Sequence, residues 1–438
     1  MTLCTQSSHG SSHPSPLDGD SIDGQRSSQP LGTEDFPEGG LKGWLCVFGS
    51  FMGFFGSFGL VNSMGVLEAY LSTHQLSDYA AGQTGWIFGV LPFLTLFFGA
   101  QVGPVFDAKG PKVLLLAGST LIMMMMISIG FCSTYWQFML SIGVCGGTGI
   151  SLVFTPTLSA VSHFFFARRG MATGIAASGG GVGGVCFTLM YSSLVPRIGF
   201  PWATRAVALL CLVSLILANL LVSSRLPRKS SKLKVFLPDF RIFSDKRYFV
   251  MTIACFFIEW GLFIPISYLI SYTLRQGSST TFSYQVLAIL NAGSCVGRWV
   301  PGYVSDRMGR MNTLIVTVFL CIISNACLWL PAGSSTALIV IYAAIFGFAS
   351  GGNISLVPVC IGQLCDTKNY GRYFATSYTI VSLSVLTGVP IAGQLVSTCN
   401  GEYWGLIVFT TCCYSAGLLC TIWVKIMCCG WSNLFSVF

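Results

Sequence analysis

Beyond about residue 43 the polar positions are too sparse to give any helix a wet face. Apolar stretches of about 20 residues or more follow one another, separated by short clusters of Gly, Pro and charged residues. A helix of that length crosses a hydrocarbon core about 30 Å thick. Lipid offers the backbone no hydrogen-bond partners, so each stretch must satisfy its own groups and be helical. The pattern predicts twelve spans, at 44–70, 82–106, 111–131, 136–160, 170–195, 201–224, 248–272, 283–304, 312–331, 336–361, 372–396 and 403–427.

Composition agrees. Of 438 residues 53% are hydrophobic and 9% charged, against about 25% charged in a soluble domain. The chain therefore belongs in a bilayer. The first 40 residues are different in kind, with eight serines, six acidic residues and one basic one, Arg26. They have too little apolar area to order themselves. They also lack a basic start followed by an apolar core, so the first span is expected to insert uncleaved. The expected organisation is a disordered cytosolic tail (1–41), a six-helix bundle (42–224), a basic cytosolic linker (225–247), a second six-helix bundle (248–427) and a short cytosolic tail (428–438). Placing the N-terminus in the cytosol puts all the Lys and Arg on that side except Arg197, Arg205, Arg275 and the intramembrane Arg298. This is the positive-inside bias. Trp44, Trp136, Trp202 and Trp404, near span ends, read as interface anchors. Eighteen cysteines form no CxxC pair and most lie inside apolar runs, where they act as small hydrophobes. Cys428-Cys429 alone suits S-acylation.

The halves echo one another. GPVFD at 103–107 pairs with GYVSD at 302–306, ISLV at 150–153 recurs at 354–357, and RGMAT at 169–173 answers RYFAT at 372–376. Each half holds an even number of spans, so the copies share one orientation, as in parallel-repeat transporters. The predicted fold class is an all-α membrane protein of twelve transmembrane helices in two parallel six-helix repeats.

The loop after span 8 runs from Gly302 through Asp306, Arg307 and Gly309 to Arg310, and its counterpart after span 2 from Gly103 through Asp107, Ala108, Lys109 and Gly110 to Lys112. The first Gly of each permits close packing, the Asp accepts hydrogen bonds, and the basic residues suit a cytosolic latch. This twin motif resembles the signature of the major facilitator superfamily, from which the first copy departs at Ala108. EGGLKGWLCVFGSFMGFFGSFGLVNSMGVLEAYL in span 1 and HFFFARRGMATGIAASGGGVGG at the span 4–5 junction are similar to the patterns of its monocarboxylate porter family, the fungal branch especially. The resemblance covers nearly the whole chain after residue 38. It implies a pathway between two six-helix halves, with a cytosolic gate of Asp107, Lys112, Arg168, Arg169, Asp306, Arg307 and Arg310.

Arg298 lies eight residues before Asp306, so about 12 Å up a helix rising ~1.5 Å per residue. A charge at that depth is expensive and faces a cavity or a partner. The resemblance implies that Arg298 engages the substrate carboxylate; the structural alternative is an arginine pinning two helices through backbone carbonyls. The aspartate and lysine of proton-coupled animal members are replaced here by Ser294 and Asn62. That leaves Glu259, midway along span 7, as the candidate coupling group. It is expected either to neutralise Arg298 in the empty cavity, or to stay protonated and hydrogen-bonded inside the bundle. SGGGVGG at 178–184 has no strand before it and reads as helix packing. His163 reads as a helix-end residue.

No GxxxxGK[ST] loop occurs, which argues against ATP-driven transport. Nothing in the pattern calls for a cofactor, a metal or nucleic acid, and an enzyme would need more convergent polar groups than are present. The expected function is secondary transport, by alternating access, of a small organic solute, a monocarboxylate or other acidic metabolite, with a proton as a possible second partner. Asn62, Glu259, Asn291, Ser294 and Arg298 are expected to line the path. The rival cargoes are a specialised metabolite for export or a flavin-like or neutral metabolite for import. A membrane nutrient sensor is the reading from another class. The plasma membrane is the expected location.

Overall fold

In the computed structural model residues 39–165, 169–224, 240–365 and 370–431 are described. They are helical, with no strand among them. The first span is two helices, α1 (Gly40–Asn62) and α2 (Met64–Thr73), parted at Ser63. Then come α3 (Ala81–Lys109), α4 (Pro111–Ile129), α5 (Tyr135–Phe138) running through a π-helical segment (Met139–Gly146) into α6 (Gly147–Val161), α7 (Arg169–Ile198) and α8 (Phe200–Leu221). The second half holds α9 (Lys246–Arg275), α10 (Thr280–Met308), α11 (Arg310–Ile323) with a π-helical end (Ser324–Trp329), α12 (Thr336–Gln363), α13 (Tyr370–Thr398) and α14 (Trp404–Cys429). Most of the acidic tail, residues 225–239 of the basic linker and the chain beyond 431 lie outside the described residues.

Among the described residues eleven spans are long and apolar enough to cross a membrane. The twelfth expected span is α10, 29 residues long but not apolar enough to stand with them. Its polar residues Asn291, Ser294 and Arg298 are buried, while Val296, Trp299, Val300 and Tyr303 make an exposed apolar stripe on its other side. The span is thus amphipathic because one face meets protein.

Packing repeats between the halves. α1 lies against α6, α7 and α8, and α9 against α13 and α14. In α1, Gly49, Gly53 and Gly56 admit Leu221, Thr157 and Ser214, and in α9 Gly261 admits Tyr414. Small residues of this kind let apolar helices approach where no water drives them together. The halves meet along α3–α13 and α7–α10, and at the end away from the N-terminus along α2–α9. The repeat also shows in the two turns of the twin motif. Gly110 (φ 80°) and Gly309 (φ 90°) both take a left-handed conformation, with their N–H groups donating to Phe106 and Ser305.

Candidate functional site

The site begins at the break in the first span. Ser63 has φ −100° and ψ 5°, and the N–H of Val66 donates to the carbonyl of Ser63, three residues back. The carbonyl of Asn62, which an unbroken helix would have used, instead accepts from Asn291 Nδ2 of α10 at 3.1 Å. The Asn62 side chain turns to α7, where its Nδ2 donates to the carbonyl of Gly180 at 2.9 Å. One residue thereby connects α1, α7 and α10. Discontinuous helices are a recurrent way for transporters to free backbone groups at mid-membrane sites.

The glycines of α7 make the close approach possible. A Cβ at Gly184 would stand 2.8 Å from both Asn291 and Asn62, and one at Gly181 would stand 3.0 Å from Cys295. Gly183 faces the other way, toward the Phe55 carbonyl at 2.5 Å. The stretch is a two-sided packing surface, as its small-residue pattern implies. On its far side α10 meets α12 through a second seam, in which the Ser294 backbone lies against Gly351 and Gly297 against Phe348.

Arg298 lies where these seams meet and is 2% exposed. Its Nη1 donates to the carbonyl of Ala177 on α7 at 2.6 Å. Nε and Nη2 are buried without a hydrogen-bond partner. Arg298 thus joins two helices through a carbonyl, as the structural alternative expects, and keeps a donor edge unused. A guanidinium presents donors in a planar fork suited to a carboxylate. Phe58 is beside it: a Cβ at Gly180 would be 2.9 Å from both Arg298 Nη1 and Phe58 Cβ. Phe58 packs on Phe154 at 4.8 Å and on Phe54 at 6.1 Å between ring centroids. A separate recess of about 370 Å³ is lined by Trp44, Val47, Phe48, Phe51 and Ile175, nearer the N-terminal end of α1 than Phe58 and Asn62.

Two expectations are corrected. Glu259 does not pair with Arg298; it is buried and faces Cys255, one turn earlier, and Tyr414 of α14. The glycine seam delivers the guanidinium to an α7 carbonyl instead. Nor do Gly103 and Gly302 pack closely, because a Cβ at either would meet nothing within 4 Å among the described residues.

Of the expected gate, the side chains of Lys112, Arg307 and Arg310 are among those described. Lys112, Arg307 and Arg310 are exposed, and Arg307 Nη2 donates to Tyr303 of its own helix at 2.5 Å. Arg168 lies outside the described residues, as do the side chains of Asp107, Arg169 and Asp306. His163 is at a helix end, 3.0 Å from the Ser224 hydroxyl.

Sequence reasoning overlooked Glu68. It is buried on α2 and accepts from the Ser271 hydroxyl of α9 at 2.5 Å, across the halves. An acidic residue within the first predicted span, just beyond the Asn62-Ser63 pair, was the available signal.

The sequence profile of the Major Facilitator Superfamily matches residues 43–389. The chain is 36% identical over 402 residues to MFS-type transporter 1 of Ophiocordyceps sp. (strain BCC 1869), covering 91% of this chain and 88% of that one. It is 34% identical to the riboflavin transporter MCH5 of Saccharomyces cerevisiae, covering 91% and 80%, and 34% identical to the fujikurins efflux protein of Gibberella fujikuroi, covering 88% and 82%. The nucleoside transporter NupG shares the fold with a TM-score of 0.67 at 16% identity, over 87% of this chain and 99% of that one. Two repeats meeting at a broken first helix, and relatives of this likeness over nine-tenths of the chain, make it a multi-pass transporter of the major facilitator superfamily.

Proposed function

We propose that the chain moves a small organic anion, a monocarboxylate or another acidic metabolite, by alternating access, and that Arg298 receives its negative charge. The observation carrying this reading is the unused edge of Arg298: two buried nitrogens without a partner, on a cation between the halves with no acidic residue paired to it among the described residues. A buried donor left unmatched costs about 1–3 kcal/mol, which a carboxylate would recover. Asn62 and Asn291 hold the helices on which that edge is presented, with Ser294 one turn from it and Glu259 on α9 of the same half. The monocarboxylate porter resemblance supports the same cargo class. The distribution of Lys and Arg supports placing both termini in the cytosol, and the plasma membrane is the location in this reading. Lys112, Arg307 and Arg310, with their acidic and basic neighbours in the motifs, then form the latch in the opposite conformer.

A second reading has its own support. Phe58 beside the guanidinium, with Phe54 and Phe154 packed around it, suits a cargo with an aromatic or large apolar part, such as a flavin-like compound or an exported specialised metabolite, and relatives carry names of both kinds.

The test is uptake and efflux in cells lacking endogenous carriers, with radiolabelled short monocarboxylates and riboflavin, comparing wild type, Arg298→Lys and Arg298→Gln. Loss of anion transport by about tenfold or more in the glutamine variant is expected, the size of one charge-assisted hydrogen bond of ~1.5–3 kcal/mol. Unchanged transport by a correctly inserted Arg298→Gln protein overturns the anion reading.

A further inference from the structure

The end of the bundle away from the N-terminus is shut by polar and backbone contacts between halves. Gly65 of α2 lies against the Ile266 carbonyl of α9, the Tyr268 hydroxyl of α9 reaches the Ala81 carbonyl of α3 at 3.5 Å, and Gly82 faces Gln394 of α13. Among these contacts Glu68 with Ser271 is the one that includes an ionisable carboxyl. Glu68 is 3% exposed and its hydrogen-bond partner is a neutral hydroxyl.

The groups around it supply no countercharge. From α9 it faces Tyr268 as well as Ser271, and from the segment before α14 it faces Tyr403. Arg275, one turn beyond Ser271, is exposed, lies against Gly401 and acts on Tyr403, but no cation among the described residues acts on Glu68 itself. Glu402 is beside Tyr272. On α2 itself His74 is exposed and stacked on Tyr70. From α10, Tyr284 faces Tyr70; α3 and α13 bring no charged group to this contact, Gln83 and Gln394 being neutral. The ion pair found among the described residues is elsewhere, Arg247 with Asp245.

An isolated carboxylate closed away from water is strongly disfavoured, whereas a neutral acid with a hydrogen-bond partner is not. We propose that Glu68 is a proton-binding latch: α2 and α9 close on it as the neutral acid, and parting them exposes the carboxyl, which releases its proton to the water on that side. Acidity of that solution therefore drives the protein toward the arrangement seen here. The inference rests on alternating access but not on the identity of the cargo or on Arg298.

The test needs no substrate. Hydrogen exchange of the full chain in lipid nanodiscs is followed by mass spectrometry over residues 64–73 and 266–275 across a pH series, corrected for the intrinsic pH dependence of exchange. Opening of these segments in the wild type is expected to increase with pH by up to about tenfold per unit, the slope of one released proton. Glu68→Gln, similar in shape but without the titration, should be flat, and Glu68→Asp should keep a slope. A flat wild-type profile overturns the proposal even if no variant folds. So does a glutamine variant as steep as the wild type, or an aspartate variant as flat as glutamine. Transport failing at Arg298 would leave these profiles untouched.

Discussion

Arg298 of α10 and Ala177 of α7 are joined across the two halves by a 2.6 Å hydrogen bond from Nη1 to a main-chain carbonyl. A helix carbonyl is already engaged by its own helix, so this bond is easily exchanged for a carboxylate oxygen of higher charge. It can thus hold the guanidinium in place while the site is empty and release it when cargo arrives. Arg298→Lys keeps the charge but loses the planar fork. Its transport should fall between wild type and Arg298→Gln, with KM raised more than kcat is lowered; a lysine variant as inactive as glutamine would show that the fork, and not the charge, does the binding.

Glu259 and Arg298 act separately if the geometry holds. Were they a charge pair, removing one partner would strand the other at a cost of about 3–5 kcal/mol, and removing both would restore much of the loss. Because Glu259 faces Cys255 and Tyr414, the double variant Glu259→Gln/Arg298→Gln should be no more stable and no more active than Arg298→Gln alone. Recovery in thermal unfolding or uptake would restore the pairing.

The contrast between these two residues shows what a sequence of this kind can and cannot convey. A lone arginine in an apolar run announces itself, because lipid makes its presence expensive wherever it points. Span number, repeat and the packing role of Gly179–Gly184 were legible for the same reason, since they depend on spacing and side-chain size. Which neighbour Arg298 meets depends on rotation and depth of α7 against α10, and that is fixed by Gly180 and Gly181 on a helix of the other half. Glu68 was passed over because an acid in the last two turns of a span is ordinary when that end is wet. It becomes unusual only when α9 covers it, a relation between residues 203 positions apart.

Asn62 and Asn291 should contribute additively. Asn291 donates to the Asn62 main chain, which survives Asn62→Ala, while the Asn62 side chain donates to Gly180. Each replacement by alanine should cost about 0.6–1.7 kcal/mol, the range for interhelical hydrogen bonds in membranes. A double-mutant cycle by thermal unfolding should close within about 0.5 kcal/mol. A larger coupling would mean that Asn62→Ala repairs the helix break and withdraws its carbonyl from Asn291.

The glycines should divide into three classes when each is replaced by alanine. At Gly181 a Cβ would meet Cys295 Cβ at 3.0 Å and the Asn291 carbonyl at 3.1 Å; α7 and α10 must part, at an overpacking cost of about 1–3 kcal/mol. Gly110 and Gly309 hold φ of 80° and 90°, where a Cβ costs about 1–2 kcal/mol. Gly103 and Gly302 are helical with open space around them among the described residues, so alanine there should be neutral or stabilising by up to about 1 kcal/mol. Thermal unfolding measures all three. If the motif glycines 103 and 302 serve close packing in the opposite conformer, alanine will slow transport without lowering stability in the state described, because its Cβ then obstructs only the closing of that end. Loss of stability at Gly103 or Gly302 would instead mean that the two motifs are already packed, and that the end carrying them is closed here as well.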